Sequence, residues 1–424
     1  MKSLATERTG KLLGETNPSW SPLGGGAEEF PVTDVTDFEL PSQEDVRADL
    51  RSVFRGAIRM TLETLLEEEI REMVGGSRWA RIGGRKDRRN GSYLRGLVTS
   101  MGYLAVAVPR SRESGSAIDV LGRYKRRSPE IDEAIVASYV NGVSTRKMTK
   151  VTEALADEKV DKSTVSRVTR QLEQQVEDLR RAPITEPITY LFLDGTFLDA
   201  RWARKVENLA ALVAYGIGPD GKRRLLAVTI GAQESEDSWA ELLRQLTERG
   251  LKSVKLVIAD AHAGLAAAVR HHLPEAKVQR CVVHLQRNAL AQAPWRLRGR
   301  LGREVTNIFA AQSVVDAKKR LEAFRAGLGK QLPEAMATLD GGFNAATQFY
   351  AFPRAHWRRI KTTNGLERLN GEIKRRTRSV GAFPDRNSAL RLITAVAIAV
   401  TNIWNQRLYV DMSAFTSTDQ AKAA

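Results

Sequence analysis

Two apolar stretches that each run directly into an aspartate constrain the fold of this chain more than any other feature. ITYLFLD ends at Asp194 and VKLVIAD ends at Asp260. Between them, Asp220-Gly221 predicts the turn of a hairpin, and a helical pattern stopped by Gly250 follows. Apolar strands joined by helices predict an α/β sheet.

The complete order in this part of the chain is strand, hairpin, helix, strand, helix, strand, with AKVQRCVVH as the last strand. This order is typical of an RNase H-like core. Ligands of α/β sheets bind where strands end, which makes Asp194 and Asp260 candidate catalytic residues. An aspartate after an apolar strand is more often a turn or capping residue, so neither is assigned on this pattern alone.

Glu367 is the third candidate, and it lies in a stretch, residues 354–378, that holds nine basic residues and only two acids. Asn364 is a good N-cap, and Glu367 follows three residues later, where a capping-box glutamate belongs. The local pattern therefore favours a capping role. Glu372 lies about 140° further around the helix, so we interpret it as a solvated partner of the neighbouring basic residues.

Three carboxylates in basic surroundings suit phosphodiester chemistry. Two Mg²⁺ ions about 4 Å apart can activate the attacking oxygen and stabilise the leaving one, and Mg²⁺ prefers oxygen ligands. The net charge of +16 and the pI of about 10.0 indicate a polyanionic partner. Basic residues around Glu367 are candidates to hold the DNA strand: Arg368, Lys374, Arg375, Arg376 and Arg378.

The N-terminal part of the chain divides into segments with different sequence patterns. Residues 1–44 lack periodicity and predict a disordered N-terminus. Residues 45–125 begin with a long amphipathic helix whose apolar stripe is either core or a dimer seam. A basic β-hairpin around Ser100-Met101-Gly102 follows, and it either lies on DNA or packs as a solvated hairpin.

Residues 126–182 predict three helices, the third with Ser163 as its N-cap. Its apolar residues would face inward, and Arg167 and Arg170 would face outward in its first turns. A recognition helix needs this distribution, which favours a helix-turn-helix-like DNA-binding domain. A plain three-helix bundle is the alternative.

No run of about 18 apolar residues is present, and residues 392–400 are too short to span a membrane. There is no signal peptide, and Cys281 is the single cysteine, so no disulfide framework is expected. We therefore expect no membrane association and a cytoplasmic location.

Several long motifs in order carry a family resemblance: FLDGTFLDAR, DSWAELLRQLTERGL, VIADAHAGLAAAVRHHLPEAKVQRCVVHLQRN and FPRAHWRRIKTTNGLERLNGEIKRRTRSVGAFP. Over roughly residues 45–408 the chain resembles the Mutator-like transposases of bacterial insertion sequences. These are DDE transposases with an RNase H-like catalytic core.

The resemblance implies that Asp194 and Asp260 are the catalytic aspartates and Glu367 the catalytic glutamate, all three binding Mg²⁺, with Mn²⁺ as a substitute. It implies an all-helical insertion domain, residues 291–355, within a core of residues 188–290 and 356–410, followed by a tail, residues 411–424. Such an enzyme would cut double-stranded DNA at the terminal inverted repeats of its element and join the ends to target DNA. It would act as a homo-oligomer, at least a dimer, in the bacterial nucleoid.

Cys281 and His284 form a C-x-x-H motif. As half of a zinc site it is poor, because the chain has no second cysteine. Its local reading is a core cysteine with His284 capping the next helix, whereas the resemblance implies that both residues support the active site. Arg287 and Asn288, one turn later, either contact phosphate or form a solvated face.

Trp239 matches a family tryptophan and is either a platform for a flipped base or a buried core residue. Phe197 replaces a tyrosine that many relatives have. Asp199 is an extra acid close to Asp194. We favour Asp194 as the site residue, because Asp194 ends the predicted strand. A transposase-derived DNA-binding protein that no longer cuts is the alternative function, disfavoured by the presence of all three acids. A nuclease or resolvase is disfavoured by the helix-turn-helix-like region.

Overall fold

The structure, a computed structural model, describes residues 42–80, 83–117, 119–122, 126–156, 159–202, 205–231 and 233–415. The chain divides into two compact units, residues 1–52 and 53–424. The described part of the first unit is residues 42–52, where a long helix begins. Most of the predicted disordered N-terminus and most of the predicted tail lie outside the described residues, although residues 43 and 44 already belong to a helix. The other predicted domain boundaries stay predictions.

The long helix and the hairpin form as predicted. Helix α1 spans Gln43–Val74, and the antiparallel strands β1 and β2 span Arg89–Thr99 and Gly102–Ser111. The apolar stripe of α1 has two different surroundings. Leu66 packs into a cluster with residues of the hairpin, whereas Phe54 is 53% exposed. The C-terminal half of the stripe is therefore core.

Four helices follow where the sequence predicted three: α2 (Pro129–Val140), α3 (Thr145–Ala156), α4 (Lys162–Thr169) and α5 (Leu172–Arg181). The predicted third helix is broken because the backbone around Arg170 makes tighter i to i+3 hydrogen bonds. The predicted cap is also wrong. Asp161, not Ser163, is the N-cap, since its carboxylate accepts a 2.6 Å bond from the Thr164 amide.

The next segment builds a five-stranded mixed sheet in the predicted order of elements. It contains β3 (Tyr190–Trp202), β4 (Lys205–Ile217), β5 (Arg223–Gly231), α6 (Glu236–Glu248), β6 (Leu256–Ala259), α7 (Ala263–His272) and β7 (Lys277–Arg280). The strand order is β5-β4-β3-β6-β7. Strands β3, β4 and β5 pair antiparallel, and β3, β6 and β7 pair parallel.

Asp194 does not end its strand, which corrects the prediction. Strand β3 continues for eight residues beyond it, because the antiparallel partner β4 continues as well and pairs Val213 with Asp194. Only the parallel pairing with β6 stops earlier, at Phe192. Side chains alternate along a strand, so Asp199 belongs to the opposite face from Asp194.

Helices cover both faces of the sheet. Leu191 and Leu193 of β3 pack with α6 and α7 on one face. Tyr190 and Phe192 face the other way, into a large cluster that includes the C-terminal helices. The α-helices that follow β7 are α8 (Val282–Ala291), α9 (Trp295–Ile308), α10 (Val314–Ala326), α11 (Pro333–Ala346), α12 (Trp357–Ile360), α13 (Asn364–Thr377) and α14 (Arg386–Thr401).

Within the described residues, one helical stretch, Arg386–Gln406, is long and apolar enough to cross a membrane, with a mean hydropathy of 1.2. More than half of that window is buried inside the protein. A buried core helix passes the same test of length and composition, so this is weak evidence for a membrane span.

Candidate active site

The carboxyl ends of β6 and β7 bring three predicted site residues to one edge of the sheet. Asp260 follows β6 directly, and Cys281 follows β7 and donates its amide to the Ala259 carbonyl at 2.7 Å. Helix α8 starts at Val282, so His284 lies in its first turn. Its Nδ1 is 3.9 Å from Oδ1 of Asp260.

Helix α13 adds Glu367 to this edge, and the capping-box interpretation is wrong. Thr363 is the N-cap without a side-chain bond, and Asn364 is exposed. The Glu367 carboxylate instead accepts hydrogen bonds of 2.7 and 3.1 Å from both terminal nitrogens of Arg287. Nε2 of His284 lies 3.2 Å from Oε1 of the same carboxylate. Glu367 does not cap its own helix, because its carboxylate accepts from the charged guanidinium of Arg287 on α8.

Asp194 joins the group from β3. Its Oδ2 accepts a 2.8 Å hydrogen bond from Nδ2 of Asn370, one turn after Glu367 on α13. Burial raises the pKa of Asp194 to about 7, and the negative charges of Glu367 and Asp260 add to this increase, while His284 opposes it. Asp194 therefore experiences the charges of Asp260, Glu367 and His284.

Thr363 holds the Cys281 sulfur, which lies close enough to His284 to influence its charge state. The buried Cys281 sulfur accepts from the amide and hydroxyl of Thr363, at 3.3 and 3.4 Å. Burial alone would raise the pKa of this thiol, but its interactions with His284 and Thr363 lower it. The neighbouring sulfur, followed by Asp260 and Asp194, raises the pKa of His284 to about 9 despite its burial. The imidazole is therefore protonated at neutral pH.

The donor set fits a hard cation in chemistry and charge. Three carboxylates converge, and their repulsion adds to the burial that raises the pKa of Asp194. Mg²⁺ would offset that repulsion. In the described residues, no three His, Cys, Asp or Glu side chains are spaced to hold a metal ion as they stand. Both oxygens of Glu367 accept hydrogen bonds from Arg287 in this arrangement.

The predicted DNA-binding residues lie in different surroundings. Arg287 is paired with Glu367, and Asn288, in the orientation that its neighbours favour, bonds the His284 carbonyl and Arg280. Arg376 is only 13% exposed and donates to the Val140 carbonyl, so it joins α13 to the end of α2. The others are exposed at the surface: Arg167, Arg170, Arg368, Lys374, Arg375 and Arg378.

Trp239 is a buried core residue, and Glu372 is a partner of neighbouring basic residues. Trp239 is fully buried under the sheet, with Nε1 donating to Glu234 at 3.3 Å, so its ring offers no face to a base. The base-stacking prediction is therefore wrong, because the apolar face of α6 buries the ring. Glu372 pairs with Arg375 and Arg376, as expected of a solvated partner.

Sequence reasoning missed Asn370 and Thr363. Asn370 is three residues after Glu367, so helical periodicity put it near the same face. Its bond to Asp194 crosses 176 residues of chain, which no local pattern reveals. Thr363 precedes a helix and has the ordinary appearance of a cap.

The sequence matches the family described as "Transposase, Mutator family" over residues 32–407. It is 34% identical to the transposase for insertion sequence element ISRM5 of Rhizobium meliloti (strain 1021), covering 84% of this chain and 90% of that protein. It is also 34% identical to the transposase for insertion sequence element IS256 in transposon Tn4001 of Staphylococcus aureus, covering 85% and 93%.

A solved structure, the "Drosophila P element transposase strand transfer complex", is 12% identical, with a TM-score of 0.29 and coverage of 70% of this chain and 85% of that one. That score is too low to carry an argument. The family match and the relatives agree on a class of DNA-processing enzyme. The chain belongs to the Mutator family of transposases, which confirms the resemblance that its motifs carry.

Proposed function

We propose that this protein is a DDE transposase that binds the terminal inverted repeats of its insertion sequence and catalyses Mg²⁺-dependent cleavage and strand transfer. The convergence of Asp194, Asp260 and Glu367 around His284 is the observation that carries this proposal. We further propose that the mixed sheet is an RNase H-like core, and that residues 126–182 form a helix-turn-helix-like domain.

The three carboxylates would hold Mg²⁺, which when bound activates the attacking oxygen and stabilises the leaving one. Mn²⁺, which also prefers oxygen ligands, would substitute. The residues of the chain orient this set. Asn370 fixes the Asp194 carboxylate, and the protonated His284 lies between Asp260 and Glu367, where its charge reduces their repulsion.

DNA would lie over the exposed basic residues of α13, with its phosphates towards the acids. Arg287 is bonded to Glu367 on the exposed side of the site, and its side chain is 57% exposed. It is therefore placed to exchange the carboxylate for a phosphate oxygen, which a guanidinium binds with similar geometry. We propose that a homo-oligomer, at least a dimer, holds both ends of the element in the bacterial cytoplasm.

The test is an incubation with Mg²⁺ and double-stranded DNA that carries the ends of the element encoding this chain. We expect the wild type to cleave at the ends, and Asp194→Ala, Asp260→Ala and Glu367→Ala each to bind this DNA without cutting it. Glu372→Ala is the matched control on the same helix and should still cut. Cleavage by Glu367→Ala together with an inactive Glu372→Ala would contradict the assignment of the third carboxylate.

A further inference from the structure

Two arginines meet on a pair of aromatic rings, and a third, on helix α13, is close enough to act on the charge of one of them. Cζ of Arg223, at the start of β5, lies 4.0 Å from the ring centre of Trp404 and 4.3 Å from that of Tyr409. Arg359 lies over the same Tyr409 ring at 4.7 Å. Arg368 is close enough to influence the charge state of Arg223. We name Arg223, Arg359 and Arg368 the arginine cluster.

The arginine cluster lacks a counter-charge in the described part of the chain. None of its guanidinium groups donates a hydrogen bond or forms an ion pair to a described residue, and Nε of Arg223 is buried without a partner. Burial lowers the pKa of Arg223; the neighbouring Tyr215 and Tyr409 oppose this, whereas Arg359 and Arg368 lower the pKa further. A partly buried cation among like charges is destabilising unless an anion accompanies it.

The position of the cluster connects it to the carboxylates. Trp404 packs edge-on against Tyr215, with 5.1 Å between ring centres, and Tyr215 stacks on Phe192 at 4.4 Å. Phe192 lies two residues before Asp194, on the same face of β3. Arg368 directly follows Glu367 on α13. A chain of aromatic contacts therefore runs from the cluster to Phe192 on β3, and Arg368 lies next to Glu367 in the sequence.

We propose that the arginine cluster binds a backbone phosphate of the DNA strand that reaches the active site. This inference rests on the proposed function and extends it with a second anchoring point. The planar guanidinium matches phosphate geometry, and stacking between two rings holds Arg223 in place before the ligand binds. Phosphate contacts of this kind position DNA without reading its sequence.

The test measures binding of labelled double-stranded DNA, of random sequence and with the ends of the element, over a series of salt concentrations. We take the salt slope as the magnitude of the decrease in log binding constant per unit of log salt, and each lost phosphate contact lowers this magnitude by about 1. We expect Arg359→Gln/Arg368→Gln to lower this slope by about 2 and to weaken both DNAs alike. Arg223→Lys keeps the charge but loses the stacked fork, so it should weaken binding less.

Arg244→Gln is the matched control, because Arg244 lies on α6, across the sheet, and is already paired with Glu241 and Glu248. It should leave the slope unchanged. An unchanged slope in the exposed double variant, with its melting temperature retained, overturns the inference. The inference is also overturned if inorganic phosphate raises the melting temperature of the wild type but not of the double variant, while the double variant binds DNA as the wild type does. If the wild type never cleaves but the slope still falls, the proposed function fails and the phosphate site stands.

Discussion

Asn370 donates a 2.8 Å hydrogen bond from Nδ2 to Oδ2 of Asp194 and so links helix α13 to the central strand β3. The same helix carries Glu367 one turn earlier. One rigid element therefore presents one carboxylate and orients another. Asn370 is 7% exposed, and its Oδ1 is buried without a hydrogen-bond partner among the described residues.

Asn370→Ala should reduce cleavage while leaving DNA binding intact, because Asp194 loses the donor that fixes its carboxylate. A hydrogen bond to a charged group contributes about 1.5 kcal/mol or more, which corresponds to a rate loss of about tenfold. Single-turnover cleavage at saturating DNA measures this loss. Asn364→Ala, at the exposed start of the same helix, is the control, and equal rates for the two variants would refute a positioning role.

Asp194→Asn should stabilise the protein in the absence of metal at pH 8. The folded-state pKa of Asp194 is raised from 3.8 to about 7, so the folded state binds its proton more tightly than the unfolded state. Stability is therefore lost as the pH rises from about 4 to 7. Thermal melting in EDTA should show this loss for the wild type and not for Asp194→Asn.

Mg²⁺ should reverse that difference, because a ligand that binds only the folded state raises its melting temperature. We expect Mg²⁺ to raise the melting temperature of the wild type more than that of Asp194→Asn. Asp199→Asn, on the opposite face of β3, should respond to Mg²⁺ as the wild type does. Equal shifts in wild type and Asp194→Asn would count against Asp194 as a metal ligand.

Gly365→Ala should lower both stability and cleavage. A Cβ at Gly365 would lie 2.8 Å from the hydroxyl of the fully buried Tyr215, so the start of α13 would have to move. Overpacking of this kind costs about 1–3 kcal/mol, and the shift would displace Glu367. Urea unfolding and the cleavage assay measure the two effects.

Gly371→Ala is the matched control on the same helix, because nothing lies within 4 Å of its added Cβ. Helix propensity alone should make it neutral or more stable by roughly 0.5–1 kcal/mol. A destabilised Gly371→Ala, or an unaffected Gly365→Ala, would show that the close packing against Tyr215 does not position α13.

His356 should make the protein sensitive to mild acid. Its Nε2 donates to the Asp411 carbonyl at 2.7 Å, so its Nδ1 accepts from the Tyr190 hydroxyl at 2.6 Å. Burial lowers the pKa of His356 below its usual 6.5, although Asp411 opposes this. The neutral ring thus contributes stability above pH 6.5 that is lost as the pH falls through the lowered pKa. Urea unfolding measured over a range of pH should show this loss of stability for the wild type and not for His356→Gln. Parallel curves of stability against pH for the two proteins would contradict the assignment.

Much of the fold follows from local pattern. Runs of apolar residues predicted the central strands, and Gly221, with a φ of 69°, forms the hairpin turn that Asp220-Gly221 predicted. Local pattern failed where the length of one strand depends on its partner strand. It ended β3 at Asp194, because the antiparallel partner β4 that extends β3 is not visible in the residues of β3 itself.

The sequence by itself determined the order of strands and helices, the three candidate carboxylates and the family, because periodicity and motifs are local properties. Only the tertiary structure decided what each polar side chain contacts. Glu367 meets Arg287 rather than its own helix start, and Arg376 supports a neighbouring helix rather than facing solvent. These pairings join residues 80 and 236 positions apart, and they depend on how helices pack on the sheet, which no short stretch encodes.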